Sequence, residues 1–259
     1  MSNGKILTYL GILIAVNTAF WSIIAVNWWV FLIVNFSTLL ICVLLSYAEN
    51  RIVNSNHKWI DKIVYKFIKN EFSYIVKQKI VEYSIESERE AKYKLEANIK
   101  LTKAPEENFH YNGRYVWDQE EKIDINLINK NEFSKKVSEN LKWTNVDIYP
   151  QRQLPRRNME YSVGFTLDNL KIGRLIKHSY LSCKVIEKIE NLKLIAKVNP
   201  NLHPSKKAIL EIQNHLGIKI ADDEVIYYDA DTNSYAKTLT CPRKGRKYII
   251  HWEYEKSTL

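Results

Sequence analysis

The chain has 259 residues, a formal net charge of +9 and a mean hydropathy of −0.30, with 46% hydrophobic and 26% charged residues. That balance belongs to a folded chain rather than a disordered one, and the length allows one large domain or a domain with a small appendage. Three cysteines without CxxC spacing exclude a disulfide framework and a cysteine-based zinc site, and seven unclustered glycines exclude a Walker loop or a GxGxxG turn.

The first element is the run from Ile6 to Ala48, which contains no Asp, Glu, Lys, Arg or His. As helix it would reach roughly 64 Å, about twice the ~30 Å hydrocarbon thickness, so the run predicts two spans rather than one. These are residues 6–26 and 29–48, joined by Asn27 and Trp28, with residues 1–48 forming a transmembrane hairpin. Trp21, Trp28 and Trp29 suit a membrane interface. Lys5 precedes the run and Arg51, Lys58, Lys62, Lys66 and Lys69 follow it, which predicts that both termini face the cytoplasm. Asn17 and Asn35, at membrane depth, need partners in the other span, in another subunit or on their own backbone.

Residues 49–72 read as a juxtamembrane connector. Between His57 and Phe72 the apolar Trp59, Ile60, Ile63, Val64, Phe67 and Ile68 recur at helical spacing among Lys58, Lys62, Lys66 and Lys69, giving a basic amphipathic helix. One reading lays it on the inner leaflet, with those four lysines at the lipid surface; the other packs its apolar face on the following domain or on neighbouring subunits.

From residue 73 the period changes from helical to alternating. Strands are predicted at 74–85, 91–103, 109–117, 122–129, 143–149, 159–167, 175–187 and 192–198, with Gly113 as a bulge or bend and a short helix from Asn131 carrying Phe133, Val137 and Leu141. Clean alternation implies one packed and one solvated face, so residues 73–203 are expected to form an antiparallel barrel or sandwich rather than a parallel sheet. Pro200 and Pro204 mark a boundary, and residues 204–259 are expected to form a small α+β subdomain. In it a helix from Ser205 to Leu216 carries Ala208, Ile209, Ile212 and Leu216 inward and stops at Gly217; strands come next near 224–228, 235–241 and 247–254.

The candidate ligand site is basic. Arg152, Arg156 and Arg157 occupy a loop bracketed by Pro150 and Pro155, and Arg174, Lys177 and His178 come after the next strand. Arginine's planar fork holds a phosphate bidentately, and a rigid loop presents several forks together, so Arg152, Arg156, Arg157, Arg174 and Lys177 are assigned to phosphate binding against the alternative of a solvated loop. A second basic turn, Arg243, Lys244, Arg246 and Lys247 around Gly245, reads as a solubilising hairpin tip, against the alternative of a lipid or nucleic-acid contact. Asp222, Asp223, Asp229 and Asp231 lack a calcium-loop pattern, and neither GxSxG nor a nucleophilic Cys and His pair occurs. No catalytic residue, cofactor or metal is assigned, and the chain is read as a non-enzyme.

Taken together, the hairpin from Ile6 to Ala48, the basic connector from Arg51 to Lys69 and the strands from Tyr74 to Val198 resemble the two-transmembrane, β-strand-rich effectors of bacterial cyclic-oligonucleotide antiphage systems. The likeness is one of architecture, so no binding residue carries over. It implies a membrane effector of the bacterial inner membrane whose cytoplasmic β domain senses a cyclic nucleotide or oligonucleotide and controls homo-oligomerisation of the hairpins to permeabilise the lipid bilayer. The alternative reading is a membrane-tethered scaffold whose β domain recruits a protein partner.

Overall fold

The structure is a computed structural model. It describes residues 58–67, 71–102, 109–116, 123–140, 143–152, 159–172, 178–221 and 223–255, with the helical positions Phe36, Ser37 and Leu40 besides. The chain divides into two compact units, Met1–Ser55 and Asn56–Leu259, and all the strands among the described residues lie in the second.

This second unit is mostly β. A single helix, α1 (Lys58–Phe67), precedes thirteen strands: β1 (Tyr74–Ile85), β2 (Glu90–Leu101), β3 (Tyr111–Tyr115), β4 (Asp124–Leu127), β5 (Phe133–Asn140), β6 (Trp143–Pro150), β7 (Glu160–Lys171), β8 (His178–Lys184), β9 (Ile189–Val198), β10 (Pro204–Gln213), β11 (Glu224–Tyr227), β12 (Ser234–Thr240) and β13 (Lys247–Tyr254). They form a six-stranded sheet in the order β12-β9-β1-β2-β7-β4, a four-stranded sheet β11-β10-β13-β8, and a three-stranded sheet β3-β6-β5. One buried cluster joins all three. The six-stranded sheet meets β3 through Tyr74 against Tyr111, with ring centroids 5.9 Å apart, and meets β13 through Tyr235 against Trp252, at 6.2 Å.

The expected membrane-anchored fold does not hold. Among the described residues no helix is long and apolar enough to cross a membrane. α1 has 10 residues and includes Lys58, Asp61, Lys62 and Lys66; at about 15 Å it is half the length a span requires. Apart from Phe36, Ser37 and Leu40, the expected hairpin lies outside the described residues, as do its turn at Asn27 and Trp28 and both Asn17 and Asn35. The described residues form a mostly-β body in three sheets, and a two-span inner-membrane protein finds no support in them.

Three further expectations change. The helix expected from Asn131 is strand β5, paired along its length with β6; Val137, counted on its inner face, is 41% exposed. The helix expected from Ser205 to Leu216 is strand β10, so the tail is not α+β. There the helical set Ala208, Ile209, Ile212 and the alternating set Ala208, Leu210, Ile212 were both present in the sequence. Pairing with β11 on one side and β13 on the other selects the alternating one, leaving Ile209 and Leu216 exposed. The tail also returns to the large sheet, where β12 pairs with β9. Finally, the six-stranded sheet is mixed, because β1 and β9 run parallel. The strands read from alternation at 74–85, 91–103, 143–149, 192–198 and 247–254 do coincide with β1, β2, β6, β9 and β13.

Two glycines mark close approaches. Gly113 lies in unbroken register between β3 and β6, so it is not a bulge; a Cβ there would stand 2.5 Å from the Phe165 ring. At Gly164, in β7, a Cβ would stand 2.1 Å from the backbone oxygen of Leu95. Because backbone yields less readily than a side chain, Gly164→Ala is expected to cost about 1–3 kcal/mol or more, read as a lowered denaturation midpoint at unchanged slope.

Candidate functional site

β1 begins with Tyr74 and Val76 facing inward. After Lys77 the inward set becomes Lys79, Val81 and Ile85. The switch is a β-bulge: the pairing of β1 with β2 slips between Val76 and Gln78, so Lys77 is an extra residue and the alternation reverses. The result is a lysine inside the body. Lys79 is 4% exposed, and its ammonium meets the carboxylate of Glu187, 2% exposed, at 2.7 Å. Glu187 also accepts hydrogen bonds from the hydroxyls of Tyr74 at 3.0 Å and Tyr111 at 3.3 Å.

Burial works against the charged form of Lys79, but Glu187 outweighs it, so the ammonium is held more firmly than usual. Burial first, and then the Glu187 carboxylate, push the phenols of Tyr74 and Tyr111 well above their ordinary range, and burial does the same to Tyr93. The Cys183 thiol is likewise raised by burial, against the opposing pull of Lys79. Lys79, Tyr74 and Tyr111 thus hold their protons and meet one carboxylate, a clamp on Glu187.

Breaking a buried pair from one side leaves an uncompensated charge. Lys79→Met and Glu187→Gln are each expected to destabilise by about 3–5 kcal/mol, and Lys79→Met with Glu187→Leu by less than the two single losses summed; chemical denaturation of the four proteins measures this. The pH dependence arises from the phenols and from Lys79. In the unfolded chain the phenols ionise near pH 10 and the lysine deprotonates near pH 10.5, whereas the folded chain keeps those protons. Stability is therefore fully present below about pH 10 and falls above it, with a slope of roughly 1.4 kcal/mol per pH unit for each proton so retained. Denaturation between pH 8 and 11.5 reads that slope.

The outer face of the six-stranded sheet is polar and carries an open groove of about 730 Å³. Its walls combine outward positions of β1, β2, β7 and β9 with the inward Ile85, Tyr93 and Val198, and Asn199, Pro200, Thr232 and Asn233 lie at its rim. Three lysines line it. Lys197 pairs with Glu82 at 2.7 Å, Lys92 with Glu86 at 2.8 Å, and Lys94 with Glu96 at 2.8 Å. Asp168 accepts from Asn126 at 3.0 Å and from Thr166 at 3.1 Å.

Of the residues assigned to phosphate binding from the sequence, Arg152 is exposed just after β6, and Arg156, Arg157, Arg174 and Lys177 lie outside the described residues. Of the four connector lysines, Lys62 and Lys66 are exposed on α1, Lys58 opens the helix, and Lys69 lies outside the described residues. Asp229 closes a turn by accepting from the Asp231 amide and the Thr232 hydroxyl, and Asp223 pairs with Lys219.

The second basic turn overturns its reading as a solvated tip. Arg243 and Arg246 are 6% and 4% exposed, and both face Asp61 of α1. Burial of Arg246, with Arg243 beside it, lowers the Arg246 pKa. The helix thus docks by its one acidic side chain, with Val64 and Tyr65 on the same side. Its apolar Trp59, Ile63 and Phe67 stay exposed, so of the two readings of this helix the one that packs its apolar face on the following domain does not hold for these residues. The readable signal was Asp61 itself, a single acid within a basic helix. For Lys79 no comparable signal exists, because its orientation depends on the bulge.

No protein-family model matches this chain, and no curated protein matches it.

Proposed function

We propose that the β body is a non-catalytic recognition module whose groove takes a phosphate-bearing, nucleotide-like ligand, and that binding alters self-association of the chain. The observation carrying this reading is the trio Lys92, Lys94 and Lys197 around one groove, each held by a carboxylate of the same sheet or its adjoining turn. Surface pairs of this kind contribute only about 0–1 kcal/mol, so a phosphate can take over such lysines at small cost. The volume suits a ligand of nucleotide size. For binding to drive association, the ligand must favour the assembled form over the free one.

The test is calorimetric titration of the purified chain with cyclic di- and trinucleotides and with ATP, alongside Lys94→Glu with Lys197→Glu. Binding is expected for at least one of them. The double variant should weaken it by about tenfold or more, equivalent to ~1.4 kcal/mol, and added salt should weaken it in the wild type. Undiminished affinity in the double variant, or no binding of any nucleotide at millimolar concentration, contradicts the reading.

A further inference from the structure

The four-stranded sheet turns one face to the core. Ala208 and Leu210 of β10, Ile226 of β11, Ile250 and Trp252 of β13 and Leu181 of β8 are buried, so the residues that alternate with them point outward. Strand register sets four of these outward residues in one row across the whole sheet: Val225 opposite Ile209, Ile209 opposite His251, and His251 opposite Tyr180. Val225, Ile209 and Tyr180 are exposed, and so is Tyr227, the next outward position of β11. His251 does not break the row, since its ring lies against Tyr180 with centroids 6.1 Å apart and its Nε2 is 3.1 Å from Glu211 Oε2. The solvated face of an antiparallel sheet is ordinarily polar, so an apolar row running from edge to edge marks a contact surface.

The charges beside the row indicate what covers it. The outward residues of β10 are Lys207, Ile209 and Glu211 in succession. Among the described residues Lys207 meets no carboxylate; its ammonium lies 5.8 Å from the centroid of the Tyr227 ring. Glu211 meets His251 and accepts from Gln213 at 2.7 Å, but has neither a lysine nor an arginine. A half-turn about an axis laid along the row stacks the sheet of a second copy on this one with its strands reversed. Ile209 then faces Ile209, Val225 faces Val225 and Tyr180 faces Tyr180, while Lys207 of each copy stands opposite Glu211 of the other. Such a patch is complementary to itself, as a two-fold contact requires. We propose that the outer face of the four-stranded sheet is where two copies of the chain associate, sheet on sheet about that axis. Four strands of this length present roughly 500 Å² per copy, near the ~1,000 Å² total at which specific association begins. The contact is therefore weak enough to be adjusted; that a ligand adjusts it rests on the reading of the groove, whereas the surface itself does not.

Within one copy Lys207 and Glu211 lie about 14 Å apart along β10, too far for a carbodiimide, which joins an amine directly to a carboxylate. A Lys207–Glu211 link must therefore join two copies. Unlabelled and heavy-isotope full-length chains are mixed at submillimolar concentration without nucleotide, treated with carbodiimide, digested and analysed by mass spectrometry. The expected product joins Lys207 of a light chain to Glu211 of a heavy one. In sedimentation equilibrium, Lys207→Glu and Glu211→Lys, each setting like charges face to face, should weaken self-association about tenfold or more. The two changes together restore opposite charges across the axis and should restore association. All three variants alter exposed or half-exposed side chains, and an unchanged denaturation midpoint checks their folding. Absence of the light–heavy link, or a double variant that associates no better than the single ones, overturns the proposal. A link that forms but does not respond to any nucleotide supports the surface and counts against ligand control of it, so the two readings fail separately.

Discussion

The β body is arranged around a carboxylate that has left water. Glu187 sits in the connection between β8 and β9, and it is satisfied from two other elements: Lys79 and Tyr74 on β1, and Tyr111 on β3. A buried carboxylate is tolerated only with such partners, and each partner must stand at hydrogen-bond distance. The four groups therefore fix the connection between β8 and β9, the bulge of β1 and the three-stranded sheet relative to one another. Hydrophobic packing would tolerate small shifts among these elements, whereas the polar cluster admits one arrangement.

The same connection also meets the arginine turn and the helix. The backbone of the buried Val185 bonds Gly245 and Arg246, and Lys188 lies over Tyr65 of α1. The neighbouring Glu190 binds Lys77, the bulged residue of β1. The connection between β8 and β9 thus has an inner face that organises the core and an outer face that meets the helix. At the far end of β1 and β9, the groove is lined by charges at ordinary outward positions of strands, exchangeable with solvent. The interior pair is buried, the helix contact combines Asp61 with Tyr65 and the neighbouring Glu71, and the groove pairs are the most exposed.

Much of the strand pattern was legible because its cause is local. β2, with Leu95, Ala97 and Ile99 inward, alternates as an antiparallel strand with one dry face must. Where two periods fit the same residues, as in β10, local pattern could not decide and pairing partners did. The parallel partnership of β1 with β9 leaves no trace in either segment, and neither does the bulge that turns Lys79 inward. The candidate site was less legible still. Lysines at alternating positions look like any solvated face until the sheet is assembled, and the partner of Arg243 and Arg246, Asp61, comes from a helix far earlier in the chain.

That parallel partnership also governs how the chain can reach its fold. β1 lies in the centre of the large sheet, yet one of its two neighbours, β9, stands 113 residues further along, the separation seen between Lys77 and Glu190. During synthesis β1 can form its hairpin with β2 early, but its other edge stays open, with unpaired backbone groups, until most of the body has been made. Closing so long a loop is entropically costly before any contact rewards it, so the sheet is a slow-folding one dominated by distant pairings. The bulge at Lys77 interrupts only the pairing with β2; β9 later runs past it in register, with Val76 opposite Ile189 and Gln78 opposite Asn191.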